Sequence, residues 1–207
     1  MKIICRTLLL LGLCGLSACD SVFVEQPLGE EVVVLDEALW QGQWSNGEIV
    51  ITTSIIDAEK GILQAAWIER REHGAELEMV TGYVRKTGER IYLNLPNLDK
   101  DEPPGGAPAE LPAGSSGDSP AVAPVDSGNR EYHWARLVLD EHHASMWWPN
   151  QDRFRDAVTS GTLPGTVKED KDVLLGSLNA EQLDMINSPQ ANLLNWEQPI
   201  VFVRIAD

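Results

Sequence analysis

The chain has 207 residues, 43% of them hydrophobic and 23% charged, proportions that fit one globular domain or two small ones and exclude a wholly disordered chain or a long coiled coil. Sixteen Lys and Arg against 32 Asp and Glu leave a net charge of −16. With so few basic residues a nucleic-acid partner is excluded.

Lys2 and Arg6 precede an apolar run over residues 7–16, the pattern of a secretory signal peptide. A run of about ten residues, at roughly 1.5 Å each, reaches half of a ~30 Å hydrocarbon core and does not span it. No later segment approaches the ~18 apolar residues a spanning helix needs. The run ends in Leu16-Ser17-Ala18-Cys19, which resembles the lipobox of bacterial lipoproteins. That resemblance implies removal of a signal peptide over residues 1–18, a diacylglyceryl group on the Cys19 sulfur and an acyl chain on its new amine. Two or three chains make a durable membrane anchor where one does not. Asp20 next to the lipidated cysteine implies retention at the inner membrane, facing the periplasm of the cell envelope.

Cys5 and Cys14 lie within the removed peptide, so the mature chain has no intramolecular disulfide and must be held by an apolar core, which 189 residues permit. Losing Lys2 and Arg6 leaves 14 positive against 32 negative residues, a mature charge of −18. Such a body resists anionic lipid and favours basic partners. Residues 19–35 read as the lipidated N-terminus and a tether, and residues 36–207 as one β-rich domain.

A short helical stretch over residues 36–40 comes first. Residues 48–56 (EIVITTSII), 62–69 (ILQAAWIE), 76–84 (ELEMVTGYV) and 90–95 (RIYLNL) are β-branched, aromatic or alternating, the signature of strands. Between them Glu59-Lys60-Gly61, His73-Gly74 and Thr87-Gly88 place glycine where a tight turn needs positive φ. In the third strand Leu77, Met79, Thr81 and Tyr83 share one face, predicted to meet the core, and Glu76 and Glu78 share the other, predicted to meet solvent.

Residues 99–129 hold six of the twelve prolines and no aromatic residue, too little apolar surface to order themselves. They read as a disordered insertion within one sheet, because neither flank alone looks complete. Strand character resumes at residues 132–140 and 144–148. Asn150 is placed to cap a helix through Ser160, and Asn179 a second, with Gln182 at its third position. Ser188-Pro189 restarts a helical turn, residues 166–169 and 172–175 form a candidate hairpin, and residues 199–205 (PIVFVRI) a closing strand. The fold class is mainly β: an antiparallel sheet or a lipocalin-like barrel with two or three short helices in the C-terminal half.

Gly42-Gln43-Trp44, after the short helix and before a ladder of hairpins, resembles the opening of lipocalin-type barrels. In that family the tryptophan closes one end and an arginine of the last strand lies over it, the place Arg204 takes here. Gly42, Trp44 and Arg204 are therefore the candidate closure residues. The family's Thr-Asp-Tyr loop is absent, and the long insertion has no counterpart in it. The complete pattern also resembles uncharacterised envelope lipoproteins built on such a sheet.

Seven tryptophans, at 40, 44, 67, 134, 147, 148 and 196, are expected mostly in the core. Glu141-His142-His143 suggests a metal ligand set, but successive strand residues diverge and no fourth ligand follows at a suitable spacing, so a solvated turn is the expectation and no metal or cofactor is assigned. No Gly-x-Ser-x-Gly elbow, free mature cysteine or phosphate-cradling loop is present. A hydrolase is the least favoured reading, and no catalytic residue is assigned. The preferred expectation is a membrane-anchored periplasmic lipoprotein with a non-enzymatic interaction or assembly role toward an envelope protein partner. The alternative is a lipocalin-like binder of a small apolar ligand, which an apolar cavity would mark.

Overall fold

The computed structural model describes residues 21–71, 74–97, 131–169 and 171–205. The signal peptide, Cys19, Asp20, His73 and the 99–129 insertion fall outside them.

Eight antiparallel strands close a barrel, and the sequence shows why. β3 (Gly42–Ser45), β4 (Val50–Asp57), β5 (Ile62–Arg71), β6 (Gly74–Thr87), β7 (Arg90–Pro96), β8 (Tyr132–Leu139) and β9 (His143–Trp147) follow one another as hairpin neighbours. The last strand, β12 (Ile200–Arg204), pairs with β9 on one side and β3 on the other, so the meander has no free edge along the ring. Closure removes the unpaired backbone groups that make an edge a liability. Gly61 and Gly88 supply φ of 65° and 58° in the turns before β5 and β7, the conformation their placement in the sequence predicts.

Alternation divides the strands between two cores. Ile91 and Leu93 of β7 and Leu137 and Leu139 of β8 point into the barrel with Leu63, Val84, Ala144 and Met146. Tyr92 of β7 and Trp134 of β8 point outward and are fully buried, because a layer of helices and short strands covers that wall. Both faces of β7 and β8 are thus occupied, and their sequences read as near-continuous apolar runs for that reason.

The covering layer consists of α2 (Gln151–Thr159), β10 (Gly165–Val167), β11 (Val173–Leu175) and α3 (Ala180–Ile186). Asn150 caps α2 by accepting from the Arg153 amide, and Asn179 and Gln182 form a reciprocal capping box on α3. Phe154 of α2 meets Trp134 edge-on at 5.8 Å between ring centroids. A 3₁₀ turn over Pro189–Ala191 follows α3.

The N-terminal segment corrects the expectation of a tether over residues 19–35. β1 (Val22–Val24) is buried at all three positions and pairs parallel to β11 and antiparallel to β8. β8 therefore forks: Tyr132 and His133 face β1, while the stretch from Arg136 to Leu139 faces β9. Trp134, between the two stretches, is fully buried. β2 (Glu31–Val32) then pairs with β6, and α1 (Glu37–Trp40), capped by Asp36, crosses one mouth of the barrel with Trp40 buried. The segment is structural because Val22, Phe23 and Val24 complete the outer core, a role a three-residue apolar run does not announce.

The expected core face of β6 is also corrected. Tyr83 is buried, but Leu77 and Met79 are 64% and 54% exposed. They lie on the outer side of the barrel, and the series that turns inward is Val80, Gly82 and Val84. The β6–β7 ladder stops at Tyr83 opposite Asn94, and the β4–β5 ladder stops at Ile51 opposite Trp67. Toward the β5–β6 turn the sheet narrows to these two strands, and among the described residues no layer covers Leu77, Met79 and the residue opposite Leu77, Ile68, itself 65% exposed.

Candidate functional site

Among the described residues the barrel interior gathers side chains of nearly one kind, apolar on its strands except for Thr53. Trp40, Trp44, Leu63, Leu93, Leu137 and Phe202 line a cavity of about 100 Å³, with Ala65 and Ala144 leaving the room. An eight-stranded barrel is just wide enough to be filled by side chains or to hold one small ligand, and here two inward alanines decide for a partial void. Thr53 is the one hydroxyl in the lining, and it does not aim at the cavity. It donates to the Trp40 carbonyl at 2.7 Å and accepts from Trp44 Nε1 at 3.1 Å.

One end of the cavity is shut by the residues singled out from the sequence. Arg204 and Trp44 are directly opposite on β12 and β3, and the guanidinium carbon lies 4.4 Å from the centroid of the Trp44 ring. Its Nη2 donates to the Leu39 carbonyl at 2.6 Å and its Nη1 to the Gln41 carbonyl at 3.0 Å. These are the open carbonyls at the C-terminal end of α1, which a cation stabilises. Gly42 has φ 145°, and a Cβ there would stand 3.2 Å from Arg204 Nη1. Glycine thus gives both the backbone angle and the clearance. The structure brings Gly42, Trp44 and Arg204 into one contact; Cys19 and Asp20 lie outside the described residues.

His142 and His143 occupy the β8–β9 turn. Asp140 accepts from both of their backbone amides, at 2.7 and 2.8 Å, which holds its carboxyl below the usual carboxylate range, the His142 amide contributing most. The arrangement is the solvated turn that the sequence suggested, and among the described residues no group of three His, Cys, Asp or Glu side chains is placed to hold a metal. Asp36, Glu141, His142 and Arg204 border an open cleft outside the closed mouth. The Arg204 hydrogen bonds already described point toward α1 and not into it.

Comparison with known protein families, curated proteins and solved structures returns no match. The cavity must therefore be read from its own chemistry.

Sequence reasoning missed two features near the site. The alanines that open the cavity, Ala65 and Ala144, look like ordinary strand residues until the register places them inward. Asn94, fully buried on the outer face of β7, accepts from the Leu28 amide at 2.6 Å and donates to the Leu28 and Tyr83 carbonyls, both at 3.1 Å. It fastens the N-terminal segment to the barrel wall, and the only hint was a lone amide side chain in an otherwise apolar strand.

Proposed function

We propose that this protein is a periplasm-facing envelope lipoprotein, anchored through Cys19, whose barrel binds a small apolar ligand. The carrying observation is the cavity: apolar throughout, with its single hydroxyl and the Trp44 indole satisfied by each other and by the backbone. No donor, acceptor or charge is presented to a bound molecule, so affinity comes from removing apolar surface from water, about 25 cal/mol per Å². The space is below the 300–1,000 Å³ of a drug-sized pocket and suits one aromatic ring or a short alkyl segment. Catalysis finds no support there, because nothing reactive faces the void.

Toluene titrated into the purified protein, followed by ligand-observed NMR, tests this reading. Saturable binding is expected, and it is lost in Ala144→Phe and weakened in Ala65→Leu, both of which fill the void from its wall. Absence of saturable binding, or binding unchanged in both folded variants, refutes it. The lipoprotein half is tested separately by mass spectrometry of the mature N-terminus, expected to begin at an acylated Cys19.

A second reading, an interaction or assembly role toward an envelope protein, is favoured by the narrowed end of the sheet at β5 and β6. Ile68, Leu77 and Met79 form an exposed apolar group on one face, and contiguous exposed apolar surface marks contact sites. Crosslinking from Leu77→Cys in intact cells tests it: a specific adduct supports the role, and none argues against it.

A further inference from the structure

The fold begins much closer to the anchor than a tethered domain would. The Ser21 amide donates to Asp172 Oδ1 at 2.6 Å, and the Ser21 carbonyl accepts from the Val173 amide at 2.8 Å. Val22 is already buried in the β1–β11 ladder. One residue, Asp20, separates Cys19 from this fixed point. At no more than about 3.6 Å per residue, the link from Cys19 to Ser21 reaches roughly 7 Å, less than one Debye length at physiological salt.

We infer that the domain lies flush on the bilayer, with the β10–β11 corner at Lys168, Lys171 and Asp172 as its membrane-facing side. The inference rests on lipidation of Cys19 and adds to it the partner surface and the orientation. Ser21 is bonded to Asp172 at that corner, and the Lys168 amide donates to the Asp172 carbonyl at 2.8 Å. Gln151 Nε2 donates to the Lys171 carbonyl at 3.2 Å, tying the corner to the start of α2. An anchor at Cys19 therefore pulls on a braced corner of the molecule.

Charge shows why the short link decides the orientation. A body at −18 is repelled by an anionic leaflet, so on a long tether it stands off. Tied at Ser21, it is held against that repulsion by the acyl chains. The wall carrying β4 then faces away, because β4 is separated from β8, the barrel neighbour of β1, by three strands in either direction round the ring.

The mature chain has no free cysteine to compete with a label. A fluorophore is placed at Lys171→Cys or at Ser54→Cys, an exposed site on β4. The full-length acylated protein is reconstituted in phosphatidylethanolamine–phosphatidylglycerol vesicles carrying a headgroup quencher. Quenching is expected to be several-fold stronger at Lys171→Cys, and a twenty-residue Gly-Ser spacer between Asp20 and Ser21 should abolish the difference. Equal quenching at both sites with Cys19 shown to be acylated overturns the orientation alone. An unmodified Cys19 overturns the lipoprotein reading and the orientation with it.

Discussion

Replacing Arg204 by alanine tests barrel closure more directly than any other change. Three interactions are lost together: a cation stacked on the Trp44 face and two charge-assisted hydrogen bonds to the Leu39 and Gln41 carbonyls. A desolvated cation–π contact contributes about 2 kcal/mol, and a hydrogen bond from a charged donor about 1.5–3 kcal/mol. The sum overstates the loss, since Arg204 is partly exposed and the freed carbonyls at the barrel mouth can take water. Its Nε, moreover, is buried without a partner, a cost the variant removes. A destabilisation of about 3–4 kcal/mol remains, a large part of the ~5–15 kcal/mol that holds a domain together. With a urea slope of about 2 kcal/mol per M, the unfolding midpoint should fall by roughly 1.5–2 M. Arg204→Lys should recover little, because an ammonium cannot stack flat and fork to two carbonyls at once. The unfolding is read by tryptophan fluorescence, and a cycle with Trp44→Leu isolates the stacking contact, with coupling on the order of 1–2 kcal/mol. A loss below about 1 kcal/mol for Arg204→Ala, typical of an exposed edge arginine, would refute the closure argument.

Three further expectations follow from single contacts. Asn94→Ala should cost about 3 kcal/mol by leaving the Leu28 amide and two carbonyls unpaired, and hydrogen exchange of the Val22–Val24 amides should accelerate. Gly61→Ala should destabilise more than Gly88→Ala: both need positive φ, but a Cβ at 61 would meet the Val84 and Val33 carbonyl oxygens at 2.7 and 2.8 Å while 88 is open, and thermal melts compare them. Burial raises the Tyr92 phenol above its ordinary value, so the folded state holds that proton more tightly than the unfolded one. Its contribution is complete below the unfolded pKa of about 10 and is lost as pH rises through the folded value; ultraviolet titration should show a late-titrating phenol that is lost in Tyr92→Phe.

The barrel was legible because period-two alternation and glycine turns are local. The strands β4 to β7 follow from residues 48–95 alone, and the caps Asn150 and Asn179 announce α2 and α3. What stayed hidden depends on distant partners. Val22–Val24 is three residues long, and its partner β11 lies about 150 residues away, so no local pattern distinguishes it from tether. The two-faced burial of β7 was visible as RIYLNL but not its cause, the helix layer supplied by residues 150–194. The side of β6 that meets the core was misassigned because Leu77, Met79 and Tyr83 share a face, yet only Tyr83 has a covering layer. For the cavity, alternation gave the inward apolar character, whereas its volume depends on two alanines that line it from different strands.

The forked strand β8 has a consequence for how the chain acquires its structure. Its one edge must accept β1 from the start of the domain and β9 from the second half, while ring closure waits for β12 at the very end to meet β3. Pairings of such long sequence separation place the protein among slow folders, on the millisecond-to-second scale. A chain emerging N-terminus first carries Val22–Val24 without the β11 partner until nearly all of it has appeared. Premature closure is therefore ruled out by topology, and the polypeptide stays threadable until its last strand arrives.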